Sequence, residues 1–307
     1  MKIVLLDALT FGATDLSAFN KLGDVQVYQT TSSDETQLRI TNADVIVTNK
    51  VVITEEFMKS AKRLKLICIA ATGMNNVDLD AAKELGIEVK NVAGYSTDSV
   101  IQHTFSMLFY LLGHSRYYDE VVKDGTYSRG PIFTDVSQPF FEIKGKKWGI
   151  IGLGAIGKGV ASIATAFGAE VIYFSTSGVK REEDYRVVEL AELLQTCDII
   201  TIHAPLNEKT NNLLDYEQLS NSKEGATILN LGRGGIINEE AVAKIIDEKN
   251  LFFGLDVLTQ EPMRKDHPLL SVKKSENLYI SPHIAWTSVE ARDKLIASVV
   301  KNIQTLS

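Results

Sequence analysis

Short apolar, β-branched runs alternate with amphipathic segments of helical periodicity along almost the whole chain. We predict strands at residues 2–7, 44–48, 65–70, 87–91, 148–152, 170–174, 198–203, 226–230, 251–257 and 278–280. Because strands that alternate with helices pair in parallel, this order predicts parallel sheets covered by helices on both faces. The predicted fold class is therefore α/β, with doubly wound sheets.

The predicted strands fall into two groups, four before residue 98 and six after residue 147. Residues 99–113, SVIQHTFSMLFYLLG, lie between the groups and are apolar nearly all the way round. Such a helix must be buried on most sides, as it would be between two domains. We therefore expect a first domain over residues 1–98 and a second that begins at residue 99. The aromatic segment 117–147 fits either a contact with a partner subunit or an irregular surface loop.

Composition and charge exclude several classes of protein. Of the 307 residues, 45% are apolar and 23% charged, and the net charge of −7 comes without a basic run, so we expect no nucleic-acid partner. Cys68 and Cys197 lie in or beside apolar runs, which favours buried thiols over a disulfide. No stretch reaches the roughly 18 apolar residues of a membrane span, and residues 1–10 are a poor signal peptide. We expect a cytoplasmic protein without membrane contact and, lacking clustered ligands, without a metal.

A glycine-rich turn follows the first strand of the second group. Residues 148–159 read WGIIGLGAIGKG, so that a strand runs into Gly152, Gly154 and Gly157 and a helix follows. The first glycine allows a tight turn, the second lets a pyrophosphate approach the backbone, and the third lets helix and strand pack closely. The helix then starts at Ala155 and Ile156, where free N–H groups favour phosphate. In this strand–turn–helix–strand setting the pattern predicts a dinucleotide-binding, Rossmann- or flavodoxin-like domain.

The residues at the end of the next strand indicate which nicotinamide cofactor is used. Its end carries Ser175, Thr176 and Ser177, where an NAD site usually has an acid for the ribose 2′-hydroxyl. Without a carboxylate, these hydroxyls together with Lys180 and Arg181 could hold a 2′-phosphate. NAD(P)H is therefore the predicted cofactor, with NADP(H) slightly favoured. The alternative is that Ser175 hydrogen-bonds the ribose of NADH.

Three functional side chains follow three strands of the second group, at the sheet edge where ligands bind in open α/β folds. They are Arg233, Glu261 and His283. A guanidinium can bind a substrate carboxylate, an imidazolium can give a proton to a carbonyl oxygen, and a carboxylate can orient the imidazole and favour its charged form. The set predicts hydride transfer between NAD(P)H and C2 of a small 2-oxo or 2-hydroxy acid. Taken singly, each residue also has a structural interpretation, as a surface ion pair, a loop acid or a core histidine.

The other histidines are interpreted as structural. We expect His203, with Ala204 and Pro205, to shape a loop beside the cofactor. His103, His114 and His267 are not expected to be the catalytic acid.

These motifs, in this order, resemble those of the D-isomer-specific 2-hydroxyacid dehydrogenases. The resemblance rests on GLGAIG at 152–157, NLGRG at 230–234, the segment from Asp256 to Glu261, and SPHIAW at 281–286, and it covers essentially the whole chain. It implies the same catalytic residues, Arg233, Glu261 and His283. It also implies that residues 286–307 complete the first, substrate-binding domain, that residues 99–285 form the inserted cofactor domain with a cleft between the two, and that the protein is a homodimer through the segment before the phosphate loop.

Two earlier segments resemble one branch of that family. AATGMNNVD at 70–78 resembles the substrate loop, in which Ala71 and the amides of Thr72 and Gly73 would contact the substrate carboxylate. NVAGYSTDSVIQHT at 91–104 resembles the hinge of glycerate dehydrogenases, which act as hydroxypyruvate or glyoxylate reductases. The likeness places Thr104 near the nicotinamide and Asp256 at its carboxamide. The remaining expected cofactor contacts are His203, Ala204, Pro205, Thr210, Leu231, Gly232, Arg233, His283 and Ala285.

Two alternatives stay open. One is a dehydrogenase for D-lactate or another D-2-hydroxy acid. The other belongs to a different class, a dinucleotide-sensing binding protein built on the same fold, which the catalytic set alone does not exclude.

Overall fold

The protein was described from a computed structural model that covers residues 1–180 and 184–306. The chain divides into two compact units, which we call the terminal unit, Met1–Ser96 with Trp286–Ser307, and the central unit, Thr97–Ala285. The sequence had placed the first boundary after residue 98 and the second after residue 285.

The strands are β1 (Lys2–Leu5), β2 (Asp24–Val27), β3 (Val45–Thr48), β4 (Leu66–Ile69), β5 (Glu88–Lys90), β6 (Lys147–Ile151), β7 (Glu170–Phe174), β8 (Arg186–Val187), β9 (Ile199–Ile202), β10 (Thr227–Asn230), β11 (Phe252–Leu255) and β12 (Leu278–Ile280). The α-helices are α1 (Ser33–Ile40), α2 (Glu55–Ser60), α3 (Leu79–Glu84), α4 (Thr97–Leu112), α5 (Ser115–Lys123), α6 (Ala155–Ala166), α7 (Leu190–Thr196), α8 (Tyr216–Ser220), α9 (Glu239–Glu248) and α10 (Val289–Gln304). None of the helices in the described part of the chain combines the length and apolar character needed to cross a bilayer.

The terminal unit is built on a parallel sheet in the order β2-β1-β3-β4-β5. Successive residues of β1 enter different cores because side chains alternate across a strand. Ile3 packs on the face that α10 covers with Leu295, whereas Val4 packs with Ala81 of α3 on the opposite face. The sheet is thus covered by helices on both sides, as the alternating sequence predicted.

The central unit has a parallel sheet in the order β12-β11-β10-β9-β6-β7-β8. Helices α4 and α6 cover one face, and α7 and α9 cover the other. The α/β fold class and the parallel sheets are therefore confirmed. The two sheets contain five and seven strands, however, where the sequence predicted four and six.

The two additional strands, β2 and β8, lie at the outer edges of their sheets. Most of β2 is exposed, and β8 is only two residues long. An edge strand pairs on one side only and buries little surface, so neither strand has the apolar run from which it could be predicted.

Helix α4 is less buried than its sequence suggested. Met107 and Leu108 pack into the core of the central unit, but Gln102, Ser106 and Phe109 form an exposed stripe. These three positions share a face because they are spaced by four and three residues. The expectation of burial on most sides was wrong for this face.

The segment after α5 carries exposed apolar side chains. Ile132, Phe133, Val136 and Phe140 are 60%, 89%, 75% and 66% exposed. The Tyr127 hydroxyl donates to the Phe133 carbonyl at 2.6 Å, so this surface segment has a defined local conformation.

Candidate active site

The strand register brings the predicted functional segments to one edge of the central sheet. Asn230, the last residue of β10, pairs with Leu255 of β11, which pairs with Ile280 of β12. The residues that follow these three ends therefore leave the sheet side by side. Arg233, Asp256 and Ser281 lie three, one and one residues beyond them, so the loops that carry the predicted functional groups are neighbours.

His283 and Glu261 form a direct hydrogen-bonded pair. The His283 Nδ1 lies 2.6 Å from the Glu261 Oε2, and the other carboxylate oxygen accepts the backbone N–H of Leu258 at 2.9 Å. Because an ionised carboxylate only accepts hydrogen bonds, Nδ1 carries the proton, and Nε2 is the ring nitrogen that can exchange one. The two side chains are 24% and 32% exposed, so a reactant could reach the imidazole.

The Asp256 carboxylate binds residues on both sides of His283. Its Oδ1 accepts from the Ser281 hydroxyl at 2.6 Å and the Ile284 amide at 2.9 Å, and its Oδ2 accepts from the Ala285 amide at 3.0 Å. These bonds stabilise a loop in which His283 has φ of +54°, a left-handed conformation that costs a non-glycine residue roughly 1 kcal/mol or more.

A second histidine, half-buried, supports the same loop. The His103 Nε2 lies 3.2 Å from the Ser281 hydroxyl, which itself donates to Asp256. Because that hydroxyl uses its proton on the carboxylate, the imidazole donates to the oxygen of Ser281. Neither Ser281 nor His103 was expected to contribute. The Ser-Pro-His sequence after β12 was the available signal for Ser281.

Arg233 projects from a loop that is braced at its backbone. The Asn230 side chain accepts from the Gly232 amide at 3.1 Å and donates to the Arg233 carbonyl at 2.8 Å. The guanidinium donates to the Gly232 carbonyl at 2.9 Å. Among the described residues, no acidic group lies within ion-pair distance of it.

The glycines beside Arg233 allow close backbone approach on both sides. A Cβ at Gly232 would lie 2.8 Å from the Ala204 carbonyl oxygen, and one at Gly234 only 2.0 Å from the Leu258 carbonyl oxygen. Arg233 is therefore held between the loop after β9 and the loop that leads to Glu261.

The glycine loop has the shape expected of a phosphate site. Gly152 has φ of +92°, and a Cβ there would lie 2.9 Å from the Ala204 amide, while a Cβ at Gly157 would lie 2.4 Å from the Gly152 carbonyl oxygen. At Gly154 nothing lies within 4 Å of a Cβ, so the backbone is open to a ligand at the start of α6, where Ala155 and Ile156 begin the helix. The loop therefore fits a dinucleotide pyrophosphate.

His203 adds a second feature that fits a polar ligand. The residue as a whole is half-buried, yet both ring nitrogens are inaccessible and have no hydrogen-bond partner among the described residues. Burial lowers the pKa of His203 to about 3. Its loop is ordered by Thr210, whose hydroxyl donates to the Pro205 carbonyl at 2.6 Å and accepts from the Asn207 amide at 2.8 Å.

The turn after β7 is closed by its own hydroxyls. The Ser175 hydroxyl donates to the Val179 carbonyl at 2.7 Å, and the Ser177 hydroxyl accepts from the Val179 amide at 3.3 Å. Thr176 is half-buried and Lys180 is exposed. Arg181, the other cation expected here, lies outside the described residues.

Three further cofactor positions are apolar or internally bonded. Thr104 is fully buried on α4 and donates to the Val100 carbonyl at 2.8 Å, and Leu231 and Ala285 lie in the core beside α4. The side chains of Leu231 and Ala285 are apolar, and the Thr104 hydroxyl already donates within its own helix.

The predicted substrate loop lies after β4 in the terminal unit. The Val92 amide donates to the Ala71 carbonyl at 3.0 Å, and the Asn91 side chain donates to the Thr72 carbonyl at 2.7 Å. Within the described residues, the amides of Thr72 and Gly73 donate no hydrogen bond, so both could bind an anion.

The two cysteines and the metal-ligating side chains are relevant to nucleophilic and metal chemistry. Burial raises the pKa of the Cys68 and Cys197 thiols to about 12, so neither is a nucleophile. No group of three metal-ligating side chains occurs in residues 1–180 and 184–306.

Comparisons with known proteins identify the family of the chain. The family profile described as D-isomer specific 2-hydroxyacid dehydrogenase, NAD binding domain, matches residues 105–285, so the central unit carries a nicotinamide dinucleotide-binding domain. The chain is 36% identical to a hydroxypyruvate reductase of Blautia hydrogenotrophica over 99% of this chain and 96% of that protein. It is 34% identical to a glycerate dehydrogenase of Methylorubrum extorquens over 99% and 95%. A solved D-lactate dehydrogenase of Aquifex aeolicus, complexed with NAD and lactic acid, is similar with a TM-score of 0.86 and 26% identity, covering 99% of this chain and 94% of that one. This chain belongs to the D-isomer-specific 2-hydroxyacid dehydrogenase family.

Proposed function

We propose that the chain reduces hydroxypyruvate or glyoxylate with NAD(P)H, transferring a hydride to C2 to give a D-2-hydroxy acid. As a member of this family it is an oxidoreductase that acts on CH–OH groups. The observation that carries the proposal is the His283–Glu261 pair, at the sheet edge that also bears Arg233. The names of the two relatives favour hydroxypyruvate over pyruvate or a bulkier 2-oxo acid.

Each functional side chain has a distinct role in this reaction. A bound reduced nicotinamide supplies the hydride. His283, protonated at Nε2, gives its proton to the C2 carbonyl oxygen, and Glu261 stabilises the imidazolium and holds its orientation. Arg233 binds the substrate carboxylate. Proton donation by His283 balances the arriving hydride, so C2 of the product carries a neutral hydroxyl group and the carboxylate is unchanged.

A substrate panel tests the proposal. Glyoxylate, hydroxypyruvate, pyruvate and a phosphorylated analogue are each reduced with NADPH and with NADH, and kcat/KM is compared. We expect hydroxypyruvate or glyoxylate to be preferred. A tenfold advantage for pyruvate would select the D-lactate alternative, and tight dinucleotide binding without any turnover would select a dinucleotide sensor.

The preferred cofactor is proposed to be NADP(H). The support is the end of β7, where Ser175, Thr176 and Ser177 stand in place of an acid that would repel a 2′-phosphate. The same panel tests this proposal, because wild-type protein should give a higher kcat/KM with NADPH than with NADH.

We also propose that the protein is a homodimer. The support is the exposed apolar segment from Ile132 to Phe140 in the central unit, since a patch of this kind marks a contact surface. Sedimentation equilibrium should give twice the mass of one chain.

A further inference from the structure

A buried acid–histidine pair lies behind the loop that carries Glu261. Glu239 is the first residue of α9, and its Oε2 lies 2.9 Å from the Nε2 of His267. The two side chains are 10% and 7% exposed. From the sequence, His267 is interpreted as a structural residue. The pairing gives both residues a more specific role.

The other oxygen of Glu239 holds the catalytic loop. Glu239 Oε1 accepts from the Thr259 amide at 2.6 Å and from the Thr259 hydroxyl at 2.8 Å. Thr259 lies two residues before Glu261. Residues 259–262 are all exposed, so apolar burial contributes little to fixing this segment. Hydrogen bonds to an ionised carboxylate are stronger than neutral ones, and here they hold the segment at its first residue.

The partners of His267 define the direction of its hydrogen bonds. Its Nδ1 accepts from the Leu269 amide at 3.3 Å, so this nitrogen carries no proton, and Nε2 donates to Glu239. Glu239 therefore accepts three hydrogen bonds from His267 and Thr259. An ionised carboxylate can accept all of them, whereas a side-chain amide must direct N–H groups at one donor.

We propose that Glu239, oriented by His267, is a positioning residue that fixes residues 259–261 so that the Glu261 carboxylate faces His283. The proposal rests on the proposed function, because it assumes that the Glu261–His283 pair transfers the proton. Without Glu239 the exposed segment moves, and Glu261 no longer orients the imidazole. The proton-transfer step then slows, while the groups that bind dinucleotide and substrate stay in place.

The experiment compares Glu239→Ala with Glu240→Ala in the full-length protein. Glu240 is the next residue of the same helix turn and is exposed, so its removal is a control for the loss of charge. We expect Glu239→Ala to lower kcat for hydroxypyruvate about ten- to a hundredfold, because small misplacements of catalytic groups have effects of this size. KM for the oxo acid and Kd for the dinucleotide should stay within about twofold, and Glu240→Ala should match wild type.

A spectroscopic readout makes the test independent of turnover. The Nδ1 proton of His283, bonded to Glu261 at 2.6 Å, should give a downfield imidazole resonance that is absent in His283→Ala. We expect this resonance to move or vanish in Glu239→Ala and to persist in Glu240→Ala. If wild type reduced no 2-oxo acid, the proposed function would fail, yet this resonance would still report whether Glu239 positions Glu261.

Substitutions at Thr259 keep the proposal open to contradiction if Glu239→Ala does not fold. Thr259→Val removes only the hydroxyl bond to Glu239 and should give a partial loss of kcat. Thr259→Ser keeps the hydroxyl and should have the kcat of wild type. Unchanged kcat and an unchanged His283 resonance in folded Glu239→Ala, or in Thr259→Val when Glu239→Ala does not fold, would overturn the proposal.

Discussion

Acidification tests whether the imidazole of His203 is held neutral inside the central unit. Burial lowers the pKa of His203 to about 3 in the folded chain, whereas the unfolded chain keeps the ordinary value of 6.5. Between these values the unfolded state binds more protons, so the free energy of unfolding falls as the pH falls. Each pH unit below 6.5 lowers it by about 1.4 kcal/mol. At pH 5.0 the loss due to this side chain is therefore about 2 kcal/mol.

The measurement compares wild type with His203→Met, which has a side chain of similar volume that does not titrate. Both proteins carry Trp286→Phe, so that Trp148 alone reports unfolding of the central unit. Trp148 is fully buried, and its indole donates to Thr201, two residues before His203. In denaturant titrations at pH 7.5 and 5.0, wild type should lose about 2 kcal/mol more than the variant. At pH 7.5 the variant should be at least as stable, because two unpaired buried nitrogens are removed.

Equal losses in the two proteins, within the error of the extrapolation, would refute the reasoning, because His203 would then titrate as an exposed imidazole does. Dinucleotide affinity provides a second comparison. His203→Met should bind the dinucleotide about two- to tenfold more weakly at pH 7.5, which corresponds to the loss of one hydrogen bond. Unchanged affinity would identify His203 as a packing residue.

Four other substitutions test separate parts of the site and surface. His283→Ala should lower kcat by at least about a hundredfold in steady-state assays and leave dinucleotide Kd nearly unchanged, and an unchanged kcat would remove His283 from the mechanism. Ser175→Asp should shift the NADPH/NADH ratio of kcat/KM towards NADH by at least about tenfold, and no shift would contradict the cofactor proposal. Gly234→Ala should lower the free energy of unfolding by at least about 2 kcal/mol in thermal melts, since its Cβ would lie 2.0 Å from a neighbouring carbonyl oxygen, and a smaller loss would mean that the loop yields. Phe133→Asp should shift sedimentation towards the monomer, and a persistent dimer would place the interface elsewhere.

The fold was predictable where burial repeats along the chain. The bounds of β7 and β12 match the prediction, β6 begins and ends one residue earlier than predicted, and the other predicted strands are shortened by one or two residues at their ends. The edge strands β2 and β8 were not predicted, because they are strands through backbone pairing to a neighbour and have no apolar pattern. The exposed stripe of α4 was not predicted, because Phe109 is apolar and its exposure depends on which elements pack around it.

The site was predictable where topology alone decides position. Arg233, Glu261 and His283 could be found because the carboxyl ends of parallel strands share one edge. Glu239 and His267 could not, because their partners lie 20 to 28 residues away and leave no periodic signal. Glu239 also had a sufficient local explanation, as an acid in the first turn of a helix, which concealed its bond to Thr259.

The loops that carry the functional groups are joined by bonds between carboxylates and the backbone. Asp256, just after β11, accepts from the two amides that follow His283, and Glu239, at the start of α9, accepts from the segment that leads to Glu261. Each acid lies in the connection that follows one strand and its donors in the connection that follows the next strand, so the position of each functional group depends on its neighbour. A carboxylate can accept several amides in a small volume, whereas apolar packing would have to cover the sheet edge. The edge can therefore be rigid while His283 stays 24% exposed, and this combination is what proton transfer to a bound substrate requires.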